Sequence, residues 1–109
     1  AARGPVSRRR AWLDGSVEAV RRVRGAGIPL VGYTWWPMFA LVAWAYRQTN
    51  RPPSDYLEQF GLWDLVPAPD GSLERRRTPL VDAFRALADG GSSAVGPLAV
   101  GASPEARAA

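Results

Sequence analysis

The stretch Gly27-Ile28-Pro29-Leu30-Val31-Gly32-Tyr33-Thr34-Trp35-Trp36 constrains the fold more than any other part of this chain. It is short, almost continuously apolar, and punctuated by glycine and proline. A half-exposed strand alternates apolar and polar residues, whereas a continuous apolar run reads as a strand buried on both faces, as in a parallel sheet. The residues before it read as a helix. From Ser7 to about Gly25 the apolar positions follow helical spacing: Leu13, Val17 and Val20 share a stripe with Arg24, and Trp12, Ala19 and Val23 lie beside it. Ser7 is the predicted N-cap, and Gly25 or Gly27 the predicted stop. Gly15 weakens this helix by about 1 kcal/mol relative to alanine. Helix, glycine turn and buried strand form the αβ half of a βαβ unit, so the expected class is α/β. A strand of this kind needs neighbours on both sides, and the sequence offers no second one like it.

The remainder is read from its punctuation. Residues 38–50 form a helical turn or an apolar loop, which Arg51-Pro52-Pro53-Ser54 breaks. Ser54 is the predicted cap of a short turn running from Asp55 to Gln59. The segment from Phe60 to Pro79 has two arms around Asp70-Gly71, a common turn dipeptide. Thr78 and Pro79 then open a final helix as N-cap and first residue, with Leu80, Phe84 and Leu87 on its apolar face and Gly90 as its stop. The last twenty residues, 90–109, are small and low in complexity, and read as a disordered or linker-like tail. With 109 residues in all, one structural unit is the ceiling, and its core is marginal.

Composition removes several chemistries. There is no cysteine, hence no disulfide framework and no thiolate metal site. There is no histidine, which removes the commonest general base and the commonest zinc ligand. No metal and no cofactor is expected. All 14 basic residues are arginine. With abundant Ala, Gly and Pro, this usage reflects a coding bias more than a selected basic surface. The clusters Arg8–Arg10, Arg21-Arg22-Arg24 and Arg75–Arg77 read as solvated faces, and no nucleic-acid module signature accompanies them. No run approaches the roughly 20 apolar residues of a membrane span. With no signal-peptide pattern, the expected location is cytoplasmic and no membrane contact is expected. The chain does not begin with methionine, as a processed or excised piece of a longer protein would not.

Three of the five tryptophans, Trp35, Trp36 and Trp44, fall within ten positions. Such a cluster serves either a core or a surface that stacks on sugars, bases or lipids. Its surroundings carry a resemblance. Arg9, Trp12 and Leu13 match an R-I-x-Y-L type helical segment. Gly32, Tyr33, Trp36 and Trp44 fall at the spacing of G-Y-F-x-W-S-L-L-D-N-F-E-W. Phe60-Gly61-Leu62 match R-F-G-L, and Arg77-Thr78-Pro79 stand near a P-K-x-S type helix opening. In that order, from about residue 8 to 88, the set resembles the C-terminal end of family 1 glycoside hydrolases of the β-glucosidase type, in a divergent branch. The resemblance implies a C-terminal fragment of a (β/α)₈ TIM barrel: helix, buried parallel strand, long loop with hairpin, and final helix. Residues 1–89 would be the last quarter of that barrel.

The resemblance also implies a role for the tryptophans. Trp36 would form the floor of the glycone subsite and Trp44 would line the same pocket. Axial C–H groups of a sugar pack on an aromatic face while its hydroxyls bond around the rim. Alternation along a strand sends Trp35 and Trp36 to opposite faces, so one of them packs in the core. Two departures weaken the sugar grip. Ala43 stands where the family has the glutamate before its last tryptophan, and Ala40 where it has an aspartate. Retaining glycosidases need two carboxylates flanking the scissile bond. The family's pair precedes the matching region, so no catalytic residue is assigned and the isolated chain is expected to be inactive. The expected partners are a saccharide or β-glycoside, together with the remainder of a glycosidase-like barrel or a second copy of the chain. Three readings of function stay open: a C-terminal segment of a β-glucosidase-like enzyme, a non-catalytic saccharide-binding or regulatory module, and a small nucleic-acid or interaction protein in which the arginine clusters matter most; the unpaired apolar strand favours the first two.

Overall fold

The computed structural model describes residues 2–90. The tail expected beyond Gly90 lies outside the described residues.

Helix α1 runs Val6–Gly25 and buries the i, i+4 stripe Arg9, Leu13 and Val17. Its start differs from expectation. Pro5 occupies the N-cap position with no side-chain cap bond, and Ser7 lies inside the first turn. Its end follows the expected glycine chemistry. The Ile28 N–H donates to Val23 O and the Gly27 N–H to Arg24 O, the paired bonds of a Schellman motif, with Gly27 at φ +88°.

Strand β1, Leu41–Val42, pairs antiparallel with β2, Leu57–Glu58. Between them lie two 3₁₀ turns, Trp44–Gln48 and Pro53–Tyr56. Pro52 caps the second turn, so Ser54 is not its cap. Strands β3, Trp63–Pro67, and β4, Leu73–Arg77, form an antiparallel hairpin in which Trp63 faces Arg77 and Pro67 faces Leu73. Its turn is the expected Asp70-Gly71. Asp70 Oδ1 accepts from the backbone N–H and the hydroxyl of Ser72, and Gly71 takes φ +85°. Helix α2, Pro79–Ala88, opens as the sequence predicts: the Leu80 N–H donates to the Thr78 hydroxyl oxygen, and Pro79 is the first residue. The Thr78 hydroxyl also donates to Leu62 O, which fixes the helix to the chain entering β3.

The expected fold is corrected here. Among the described residues both sheets are two-stranded and antiparallel, and no parallel strand is present. The chain is therefore not an α/β, (β/α)₈-barrel fragment. The stretch 28–36 belongs to neither sheet. Side chains, not strand partners, decide its place. The Tyr33 ring lies 6.3 Å from Phe84 of α2, and its hydroxyl sits 2.6 Å from the Ser16 hydroxyl of α1. Trp35 joins Leu13, Val17, Leu62 and Leu80 in the core. One apolar face is buried against helices, while Ile28, Val31 and Trp36 stay exposed. Continuous apolarity here does not mean burial on both faces.

Arg9 holds the ends of the chain segments together. Its side chain is only 1% exposed. Its guanidinium donates to Gly4 O at 2.9 Å, to Gly61 O at 2.7 Å and to Asp64 Oδ1 at 2.7 Å. The reading of Arg8–Arg10 as a solvated face is thus corrected at its central residue. Successive helical residues point about 100° apart, so one member of a three-arginine run meets the core. At Gly61 the backbone comes so close to residues 38 and 39 that an added Cβ would meet Met38 O at 2.6 Å. That approach lets Met38 O accept from the N–H groups of Leu62 and Trp63.

Candidate functional site: an exposed tryptophan surface

Trp35 and Trp36 take opposite environments, as residues adjacent in an extended chain must. Trp35 is 8% exposed, and its indole N–H has no hydrogen-bond partner. Trp36 is 69% exposed. Just after it, the chain is tied down. Met38 O takes the two amide bonds from the start of β3, and the Phe39 ring packs 6.4 Å from Trp63 with the Arg75 guanidinium 4.5 Å from its centre. Trp36 is thus an open ring next to an anchored segment.

Trp44 is 78% exposed. It opens the 3₁₀ turn that follows β1, and the turn is fixed from below by the Ala43 N–H donating to Tyr56 O at 2.8 Å. The Tyr56 hydroxyl bonds the Thr49 hydroxyl at the turn's far end, also at 2.8 Å. Arg47 folds back over Trp44, with its guanidinium carbon 4.8 Å from the ring centre and 5.9 Å from that of Tyr46. Sequence reading missed Arg47; the only signal was its spacing, three residues after an aromatic inside a short turn. Among the described residues Trp36 and Trp44 do not stack on each other. Ala40 is buried and Ala43 half-buried, so a carboxylate at position 40 would need room in the packed interior.

Five of the carboxylates are paired with arginines within the fold. Glu58, Asp64, Asp14, Asp55 and Asp82 hold Arg3, Arg9, Arg10, Arg51 and Arg77 respectively. Asp70 is held below its usual carboxylate range by the Ser72 hydroxyl and N–H, and Asp82 by its hydrogen bonds from Arg77. Both shifts favour the ionised form, the opposite of what a general acid needs. Among the described residues no group of His, Cys, Asp or Glu is placed to hold a metal ion. A shallow groove on α1, lined by Ala11, Trp12, Gly15, Ser16 and Ala19, carries no charged side chain. No described helix is long and apolar enough to cross a membrane. Comparison of the chain with protein families, curated proteins and solved structures finds no match.

Proposed function

We propose that this chain binds saccharide through Trp36 and Trp44 and contributes no catalytic carboxylate, as a binding segment of a β-glucosidase-like glycoside hydrolase. The observation that carries the reading is the exposure of two large indoles, at 69% and 78%, in a chain small enough to need them in its core. Exposed aromatic faces on anchored backbone suit the C–H face of a sugar. The ordered resemblance of residues 8–88 to the β-glucosidase type suggests the same ligand class, although the barrel it implied is not what the described residues form. Ala40 and Ala43 lower the affinity expected for a neutral sugar, because charge-assisted bonds to its hydroxyls are lost.

A second reading is favoured by the local closure of the core. Arg9, Thr78 and the Leu13–Trp35–Leu80 cluster join α1, α2 and the β3–β4 hairpin without outside help. On this reading the chain acts alone, as a non-catalytic binding or regulatory module.

The test pairs saccharide titration with thermal melts. Trp36→Ala should abolish binding and leave the melt almost unchanged. Trp35→Ala should cost about 3–5 kcal/mol of stability, the usual result of emptying a large aromatic core site. Ala43→Glu should tighten binding of a neutral saccharide, by restoring an acceptor for its hydroxyls. Retention of full affinity by Trp36→Ala and Trp44→Ala would sink the proposal. Turnover of an aryl β-glycoside by the isolated chain would refute its non-catalytic part.

A further inference from the structure

The charges around Trp44 are almost all committed. In the lobe that spans β1, the two 3₁₀ turns and β2, Arg51 holds Asp55 at 2.9 Å, and Arg3 holds Glu58 at 2.8 Å. Arg47 is the exception: it is exposed and has no carboxylate partner among the described residues. It lies over the most exposed tryptophan of the chain. Ala43, immediately before that tryptophan, brings no negative charge to oppose an anion. A guanidinium carries five N–H donors, and contact with an aromatic face does not use them all. Two of them match the two oxygens of a carboxylate in parallel.

We propose that the saccharide bound at this surface is acidic: a uronic acid residue whose carboxylate is held by Arg47 beside the Trp44 ring. This rests on the saccharide reading above and adds to it the class of sugar. The site is built for a planar anion attached to an apolar ring face. The aromatic supplies area that tolerates many sugars, and Arg47, the cation of this lobe without a carboxylate partner among the described residues, supplies the preference.

The full chain is titrated, by tryptophan fluorescence and calorimetry, with a glucuronic-acid-containing disaccharide, its neutral glucose counterpart and glucose 6-phosphate. The acidic disaccharide should bind about tenfold tighter than the neutral one, the effect of one charge-assisted bidentate contact at a wet site. Arg47→Gln should bring the two within about twofold, and raised salt should narrow the gap in the unaltered protein. Arg47 is exposed and lies against Trp44 and Tyr46, so far-ultraviolet circular dichroism and the thermal melt, which do not depend on the surroundings of those two rings, should be unchanged and confirm the fold of the variant. Equal affinity for the acidic and neutral disaccharides overturns the proposal while leaving the saccharide reading in place. So does an advantage that survives Arg47→Gln. Equal or tighter binding of glucose 6-phosphate overturns the carboxylate assignment. Binding of none of the three overturns both readings.

Discussion

Arg9 shows how much one residue can decide. It is an ionised side chain in the centre of a small core, with three acceptors arranged around its fork. Removing it leaves the buried Gly61 carbonyl and the part-buried Gly4 carbonyl and Asp64 carboxylate without their donor. Breaking a fully buried pair from one side costs about 3–5 kcal/mol; solvent at Asp64 lowers that figure, but it remains a sizeable part of the 5–15 kcal/mol that typically holds a domain together. Arg9→Met should therefore lower the urea midpoint sharply, although it keeps most of the side-chain volume. Replacing the partner as well, in Arg9→Met with Asp64→Leu, should recover part of the loss, because no uncompensated charge remains. A single variant as stable as the parent would show that solvent reaches Asp64 well enough to replace the arginine. The residue was visible in the sequence as one of a run of arginines. Its burial was not, because the run alone does not say which of its members faces the core.

At the scale of elements, part of the local chemistry was legible, though not the helix starts assigned to Ser7 and Ser54, and pairing at a distance was not. Thr78-Pro79 and Asp70-Gly71 act within a few residues of themselves, so the helix start and the hairpin turn could be read from the chain. The β1–β2 ladder joins two residues on each side across the whole Trp44–Tyr56 excursion, and two residues make no periodic signal. The stretch 28–36 failed for a different reason. Its apolar pattern was real, but a pattern does not name its partner, and helices took the place of neighbouring strands. The junction of β4 and α2 carries a prediction of its own. Arg77 donates to both oxygens of Asp82, at 2.8 and 2.7 Å. Those bonds depress the folded pKa of Asp82 below its ordinary 3.8. The unfolded chain therefore takes up the proton at higher pH than the folded one. The contribution is complete above 3.8 and is lost as pH falls through the depressed folded value. Asp70, depressed by its bonds to Ser72, adds to the same acid limb. Asp82→Asn should lower the melting temperature near neutral pH and make no difference in strong acid. An equal loss at both ends of the pH range would mean that the carboxylate charge is irrelevant to the joint.

The described part of the molecule is longer than its core can explain. Its radius of gyration is 17.0 Å and its extents are 52 × 26 × 21 Å. A compact domain of about 100 residues has a radius of gyration near 13 Å. The buried apolar residues are few, and Ile28, Val31, Trp36 and Met38 lie exposed along one continuous piece of chain. Large contiguous apolar exposure marks a surface that another molecule covers. At sufficient concentration a second copy of the chain should do so, burying Ile28, Val31 and Trp36 together. Sedimentation should then show mass rising with concentration, and Ile28→Asp with Val31→Asp should hold the chain monomeric with its helix content intact. The saccharide reading adds a condition. Trp36 cannot stack on a sugar and on a second chain at once, so the two equilibria must oppose each other. By linkage, saccharide should weaken self-association by the same factor by which association weakens saccharide binding. Titrating sugar into the associated protein should therefore release monomer, and the Trp36→Ala variant should show no such release. A chain that stays monomeric over a hundredfold range of concentration would refute the association. Association indifferent to sugar would place the interface away from Trp36.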